Sequence, residues 1–443
     1  MTEKKIKFPQ KGTDRAEVLA RMQSYRDKDA NWHDGRTWSL VYHAGDEHYE
    51  FLKKAHNMFF SENGLNPGAF PSLKRFEAEV VSMACDLLGG DADAVGNMTS
   101  GGTESILMAV KTYRDRARAQ RPEIKQPEAI LPMTVHPAFE KAMHYFDVKP
   151  VHVAVREDFR VDVEAAKKAI TKNTILIVGS APQYPHGVID PIAELAAVAL
   201  TNGIGMHVDS CVGGFLLPFV RKLGAKLPDF DFRVPGVTSM SADLHKYGFT
   251  AKGASVVLYR NRDLRRFQYF QYTDWPGGLF GSPSMCGTRP GGPIAAAWAT
   301  FNAIGIEGYI EIAKRIMENT KKLQDGIRAI PGLYVLGEPV MSVFAFASEN
   351  ADIFAVADQM EARGWHIDRQ QNPACLHLMV TPAHTPILDQ YLSDLRESVA
   401  YVAANPNAAT QGAAAMYGMM AKIPDRTQVR AFIQQYMDTL YDV

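Results

Sequence analysis

Lys246 follows a histidine directly, in the run Ser239-Met240-Ser241-Ala242-Asp243-Leu244-His245-Lys246-Tyr247-Gly248. Small and apolar neighbours place its amine where water is scarce. Desolvation lowers an amine's pKa and frees its lone pair to attack an aldehyde. Asp209 ends the run Met206-His207-Val208-Asp209, 37 residues earlier. A buried carboxylate there suits the task of keeping a pyridine nitrogen protonated. Upstream, Thr99-Ser100-Gly101-Gly102-Thr103-Glu104-Ser105 brings glycines and hydroxyls to the start of an expected helix. Glycines let an anion approach the backbone, free N–H groups and the helix dipole favour a phosphate, and Ser100, Thr103 and Ser105 add hydroxyls. His136, in Val135-His136-Pro137-Ala138, offers an imidazole that can stack on a flat ring. Singly, each has a plain structural reading as surface lysine, capping Asp, tight turn or packed histidine. Together they describe a site for a phosphorylated pyridine aldehyde, pyridoxal 5'-phosphate (PLP), held by Lys246 as a Schiff base.

Such residues must be carried on one scaffold. Short apolar runs at Ala94–Met98, Ala129–Met133, Val151–Val155, Thr174–Val178, Gly205–Val208, Val237–Ser241 and Ser255–Tyr259 read as strands. Between them Glu104–Arg118, Val163–Ile170 and Pro191–Thr201 read as helices. Leu73–Leu88 is a further helix, with Phe76, Val80, Met83 and Leu87 on one stripe. This alternation predicts an α/β fold with a mostly parallel seven-stranded sheet, whose strand ends hold the ligand. Residues 1–60 are expected to form a helical arm, 61–305 the large domain and 306–443 a smaller α+β domain, with the change near Gly305. In that second part Ile310–Ile330 and Ile353–Arg363 read as helices, Ser342–Ala347 and Leu376–Thr381 as strands.

Composition narrows the function. With 443 residues, 46% hydrophobic and 22% charged, the chain has material for a sizeable core. A formal net charge of -1 with no basic run argues against a nucleic-acid partner. Neither GxxxxGK[ST] nor GxGxxG occurs, so nucleotide and dinucleotide sites lose their main support. Cys85, Cys211, Cys286 and Cys375 are scattered, which predicts free thiols, no metal site and a reducing compartment. Met1–Gly12 lacks an apolar signal region and no run is long enough to span a bilayer, so a cytoplasmic location is expected.

Several stretches are similar to the sphingosine-1-phosphate lyases, a family of fold-type-I, PLP-dependent transferase-like enzymes near the group II amino-acid decarboxylases. They are SGGTES, HVDSCVGGF, SADLHKYGFTAKG and GSPSMCGTRPGG, supported by FPSLKRFEAEVVSMACDLLGG, PQYPHGVIDPI and MYGMMAKIPDR. The resemblance covers nearly all of the chain from about Trp38. It implies that Lys246 carries the cofactor, Asp209 pairs with the pyridine nitrogen and His136 stacks on the ring. It also implies that Gly102, Thr103 and His245 hold the cofactor phosphate, helped by Ser282 of a neighbouring subunit, and hence an obligate homodimer with shared sites. Tyr42 and Lys252 match positions that engage the substrate phosphate, and Tyr184 matches a tyrosine near the reacting centre. Relatives usually carry a histidine where this chain has Asn66, and the N-terminal membrane anchor of eukaryotic relatives is not expected here. Asparagine donates a hydrogen bond but moves no proton.

The activity implied is retro-aldol cleavage of a phosphorylated sphingoid base, sphingosine 1-phosphate, to a long-chain aldehyde and phosphoethanolamine. Lys246, Tyr184 and Tyr42 stand as unranked candidates for proton transfer. The alternative is a PLP-dependent amino-acid decarboxylase, which shares Lys246, Asp209 and His136 and which Asn66 leaves open. A non-catalytic binding protein of this fold would be expected to lose the lysine or the glycine turn, and both are present.

Overall fold

The structure is a computed structural model that describes residues 6–423 and 425–441. Met1–Lys5 of the expected arm, Pro424 of the MYGMMAKIPDR stretch, Asp442 and Val443 lie outside the described residues. All seven expected strands of the first sheet form: β1 (Val95–Thr99), β2 (Glu128–Pro132), β3 (Lys149–Val153), β4 (Thr174–Ser180), β5 (Gly205–Asp209), β6 (Ser239–Ala242) and β7 (Ser255–Tyr259). They lie in the order β1-β7-β6-β5-β4-β2-β3. Residues of β2, β4, β5, β6 and β7 are buried throughout, the pattern of a sheet covered on both faces. Along β7 the side chains alternate, Val256 and Leu258 joining one core and Val257 and Tyr259 the other. Each such fully buried side chain stabilises the fold by about 1.5–3 kcal/mol.

Only β7 runs antiparallel, against both β1 and β6. The segment between Ala242 and Ser255 contains no helix. A parallel return would need a crossover of a dozen residues or more, usually helical, so the chain doubles back instead. The topology has a direct consequence for the site. The carboxyl ends of β1, β2, β4, β5 and β6 and the amino end of β7 all face one edge. That edge receives the Gly101-Gly102 turn, His136, Tyr184, Asp209, Lys246 and Lys252 in turn.

The helix Pro71–Leu87 forms and buries Leu73, Val80, Val81, Ala84 and Cys85. Of the expected stripe Val80 is fully buried, while Phe76, Met83 and Leu87 pack half-buried against the same core. Phe76 also meets Trp298 and Phe59. The helix Ala138–Phe146, directly after His136, was not foreseen; at nine residues its periodicity is short.

A second sheet follows, in the order β10 (Leu333–Val335), β11 (Val343–Ser348), β13 (Cys375–Met379), β12 (Asp368–Gln370), all antiparallel. Between the two sheets the chain forms a ribbon, β8 (Phe270–Tyr272) with β9 (Phe280–Ser282), and a long helix, Gly291–Arg328. That helix buries Ile294, Tyr309 and Ile316 in the first core and Leu323 and Ile327 in the second. Gly305 interrupts it at φ 60, ψ 178, a conformation open to little but glycine. Trp38, from the segment read as an arm, is fully buried in the second core and stacks on His384 at 4.2 Å.

Candidate active site

Lys246 lies four residues past the end of β6, and its Nζ is 2.9 Å from the Oδ2 of Asp243. Asp243 is almost fully buried, and its Oδ1 has no hydrogen-bond partner. Burial alone would lower the lysine's pKa, as its neighbours in the sequence suggested. The carboxylate of Asp243, with Cys211 and Asp209 behind it, outweighs burial and raises the pKa above the ordinary lysine value. The expected depressed amine is thus corrected: Asp243 holds the free Lys246 amine as an ammonium. His245 accepts the Ala254 N–H on Nδ1 at 3.2 Å, which leaves the Nε2 proton toward Asp243, 3.8 Å away.

The glycine turn comes up against this pair. A Cβ on Gly102 would stand 2.7 and 2.8 Å from the two Asp243 oxygens and 2.8 Å from Cys211 Sγ. The expected Ser100 and Ser105 hydroxyls are spent elsewhere. Ser105 is fully buried between Thr99 (2.6 Å) and Ser255 (2.8 Å), and Ser100 donates to Glu104 Oε2 at 2.7 Å. Thr103, at the exposed first turn of the helix Gly102–Gln120, makes no side-chain hydrogen bond among the described residues. We expect Gly102→Ala to destabilise the fold by about 1–3 kcal/mol through overpacking against Asp243. Chemical denaturation would show it, together with weaker cofactor binding; an unchanged midpoint and affinity would contradict the close approach.

Asp209 accepts the Cys211 N–H at 3.0 Å and the Ser241 hydroxyl at 3.3 Å on one oxygen. His136 accepts the Ala138 N–H on Nδ1 at 3.1 Å, so the neutral ring carries its proton on Nε2. Burial lowers its pKa, with Asp209 opposing, so the ring is uncharged at neutral pH. Tyr184 meets it edge-on, with centroids 6.3 Å apart, and stacks on His377 at 4.3 Å. Its hydroxyl lies 3.4 Å from Asp368 Oδ2, while His377 Nε2 donates to the Tyr184 carbonyl at 2.9 Å. The second sheet therefore supplies β12 and β13 side chains to the wall of the site. Tyr42 packs on Tyr247 (5.0 Å) with Lys252 Nζ 5.0 Å from its ring, and Lys252 donates to Leu40 O at 2.6 Å and His245 O at 3.3 Å. Burial raises the pKa of both tyrosines, so both hydroxyls keep their protons at neutral pH.

Two expected residues do not join this cluster within one chain. Asn66 uses Oδ1 to cap its own turn, accepting from Gly68 N (3.0 Å) and Ala69 N (3.3 Å). Ser282, in β9, donates to Ser284 O at 3.1 Å. Its segment is tied to the glycine turn through Glu104, whose Oε1 accepts the Met285 N–H at 2.8 Å. Ser282 lines a groove of about 970 Å³ with Glu77, Tyr269 and Arg289, and none of the other PLP-directed residues lines it.

Residues 32–349 match the family model described as the pyridoxal-dependent decarboxylase conserved domain. Among curated proteins, the chain is 47% identical to sphingosine-1-phosphate lyase of Arabidopsis thaliana, over 96% of this chain and 79% of that one. It is 45% identical to sphingosine-1-phosphate lyase 1 of Rattus norvegicus, over 98% and 77%. The chain belongs to the sphingosine-1-phosphate lyase family. Among solved structures, the sphingosine-1-phosphate lyase of Burkholderia pseudomallei superposes with a TM-score of 0.90 at 39% identity, covering 99% of this chain and 97% of that one. Glutamate decarboxylase of Lactobacillus brevis superposes at 0.80 with 19% identity, covering 90% and 95%, and shares the fold.

As a lyase-family member the protein uses PLP, and the residues present fit that group. Gly102 leaves a cradle, and the Thr103 hydroxyl and His136 Nε2 make no hydrogen bond among the described residues. Four residues went unremarked in the sequence. Asp243, three positions before Lys246, was legible as a partner placed just past a strand end. Glu104 sat inside the glycine motif. Asp368 and His377 had no local signal, since they reach the site only through the second sheet.

Proposed function

We propose that this chain cleaves phosphorylated sphingoid bases, with sphingosine 1-phosphate as the representative substrate, to a long-chain aldehyde and phosphoethanolamine. The observation that carries the reading is the convergence of Lys246, Asp209, His136 and the Tyr184–Asp368 pair at one sheet edge. The 47% identity to a sphingosine-1-phosphate lyase supports the substrate. Lys246 would hold PLP covalently, Asp209 would pair with its ring nitrogen, His136 would cover the ring, and Gly102, Thr103 and His245 would hold its phosphate. When bound, PLP supplies the electron sink for the breaking carbon–carbon bond.

The chain's own residues do the rest. Tyr184 accepts the proton of the substrate hydroxyl while passing its own to Asp368, the carboxylate already facing it. That ranks Tyr184 ahead of Tyr42, because its hydroxyl faces a carboxylate while that of Tyr42 faces Met379 Sδ. Lys246 returns a proton to the amine-bearing carbon. Tyr42 and Lys252 bind the substrate phosphate, with one Lys252 N–H left after its two carbonyl bonds. Fixing the phosphate orients the bond to be broken. An assay of the PLP-loaded protein with sphingosine 1-phosphate, reading fatty aldehyde, tests the proposal. Aldehyde absent, with carbon dioxide released from an amino acid, would turn the reading to the decarboxylase.

Burial, followed by the Lys246 charge, pulls the Lys252 amine down to about 8. A lowered pKa means that the cation is lost as pH rises through that value. KM for sphingosine 1-phosphate is therefore expected to rise above pH of about 8 with kcat changing less, and Lys252→Arg to remove the rise. A wild-type KM flat from pH 7 to 9 would count against Lys252 as the phosphate ligand.

We assign the protein a homodimeric state in which the partner's Ser282 completes the cofactor phosphate site and Asn66 lies near the partner's substrate. What supports this is that within their own chain both residues hydrogen-bond only in their own loops, among the described residues. Mixing inactive Lys246→Ala with inactive Ser282→Trp should restore activity that neither has alone; no restoration would argue for self-contained sites. A cytoplasmic location fits four free cysteines, and among the described residues no helix is long and apolar enough to cross a membrane.

A further inference from the structure

Behind Asp209 runs a line of buried polar side chains that the steps above do not use. Ser241 Oγ lies 3.3 Å from Asp209 Oδ1 and 3.2 Å from His207 Nε2. His207 Nδ1 lies 2.8 Å from Ser239 Oγ, which is 2.7 Å from the Tyr113 hydroxyl, itself 2.6 Å from Thr238 Oγ1. His207, Ser239 and Ser241 are fully buried, and Tyr113 nearly so. The line is built with some care for space: a Cβ on Gly205 would overlap the Tyr113 ring. Phe139 closes over His207, with centroids 5.7 Å apart.

From Asp209 to Ser239 the direction of each proton follows from the carboxylate at the end. A carboxylate only accepts, so Ser241 donates to Asp209. With its one hydrogen used, Ser241 must accept from His207 Nε2–H. Burial pulls the His207 pKa down to about 4, so the ring is neutral and its Nδ1 is an acceptor. Ser239 then donates to Nδ1. Thr238 Oγ1 accepts the Met206 N–H and donates to the Met206 carbonyl, both at 2.9 Å, so the Tyr113 hydroxyl lies between two hydroxyls and the fixed order ends at Ser239. From Ser239 to Asp209 the dipoles point the same way, and such chains polarise one another.

We propose that His207 is a positioning residue: by donating to Ser241 Oγ it holds Ser241 as a donor on Asp209 and keeps that carboxylate aimed at the cofactor's ring nitrogen. The proposal rests on the reading that Asp209 pairs with that nitrogen.

The test uses the full-length protein, with PLP affinity measured by titrating the apoprotein, the visible band of the bound cofactor, and steady-state kinetics. Ser241→Ala and His207→Phe are each expected to weaken PLP binding about tenfold, the scale of a lost charge-assisted hydrogen bond. Both should shift the visible band and lower kcat with little change in KM. His207→Gln, which can still donate to Ser241, should recover most of the loss. Tyr113→Phe, at the far end, should move the same readouts less. If His207→Phe does not fold, Ser241→Ala decides. Folded Ser241→Ala and His207→Phe proteins with wild-type affinity and band would overturn the relay. An Asp209→Ala protein with wild-type affinity and band would instead overturn the underlying reading of Asp209.

Discussion

Lys246→Ala is expected to abolish turnover, lowering kcat at least about 10³-fold, since a nucleophile that anchors the cofactor has no substitute in the site. The structure adds a second effect. Removing the ammonium strands the buried Asp243 carboxylate, whose basic neighbours among the described residues are Lys246 at 2.9 Å and His245 at 3.8 Å. Losing one partner of a buried pair costs about 3–5 kcal/mol unless the remaining group takes up a proton. Lys246→Ala should therefore also melt earlier. Lys246→Arg separates the two effects. It keeps a cation opposite Asp243 but presents no nucleophilic amine, so it should retain most of the stability and none of the activity. Activity within tenfold of wild type in either variant would exclude Lys246 as the cofactor lysine.

Asp209→Asn should lower kcat by about 10²–10³-fold, the range seen when one preorganised electrostatic group is lost from a reacting centre. Asparagine matches the carboxylate in shape, and its Oδ1 can still accept from Cys211 N–H and Ser241. Only the charge disappears. A loss confined to kcat, with KM nearly unchanged and the fold intact by circular dichroism, would identify the role as electronic. A variant retaining more than a tenth of wild-type kcat would mean that Asp209 holds the loop after β5 and little else.

Much of the scaffold was legible because the information is local. The seven strands of the first sheet are each a run of apolar residues bounded by turns, and each formed within two or three residues of its expected limits. The motifs that carry Lys246, Asp209, His136 and the glycine turn each follow such a strand. A parallel sheet brings the ends of its strands to one edge, so finding the strands amounted to finding the site. The sequence had no means of showing β7 as the one reversed strand except the missing helix between Ala242 and Ser255.

What depended on balance between distant groups stayed hidden. The neighbours of Lys246 pointed to a desolvated amine of low pKa, yet Asp243, Cys211 and Asp209 reverse the sign. Asp368 and His377 sit more than 120 residues beyond Lys246 and enter only because the second sheet closes against Tyr184. Ser105 was read as a phosphate ligand from its place in the motif, but its position on the inner face of the helix turns it to Thr99 and Ser255. Spacing along a chain determines which residues share a strand end or a helix face. Only the folded chain decides which charges then lie within reach of one another, because Coulomb and desolvation terms depend on distances through space and on the water excluded between them.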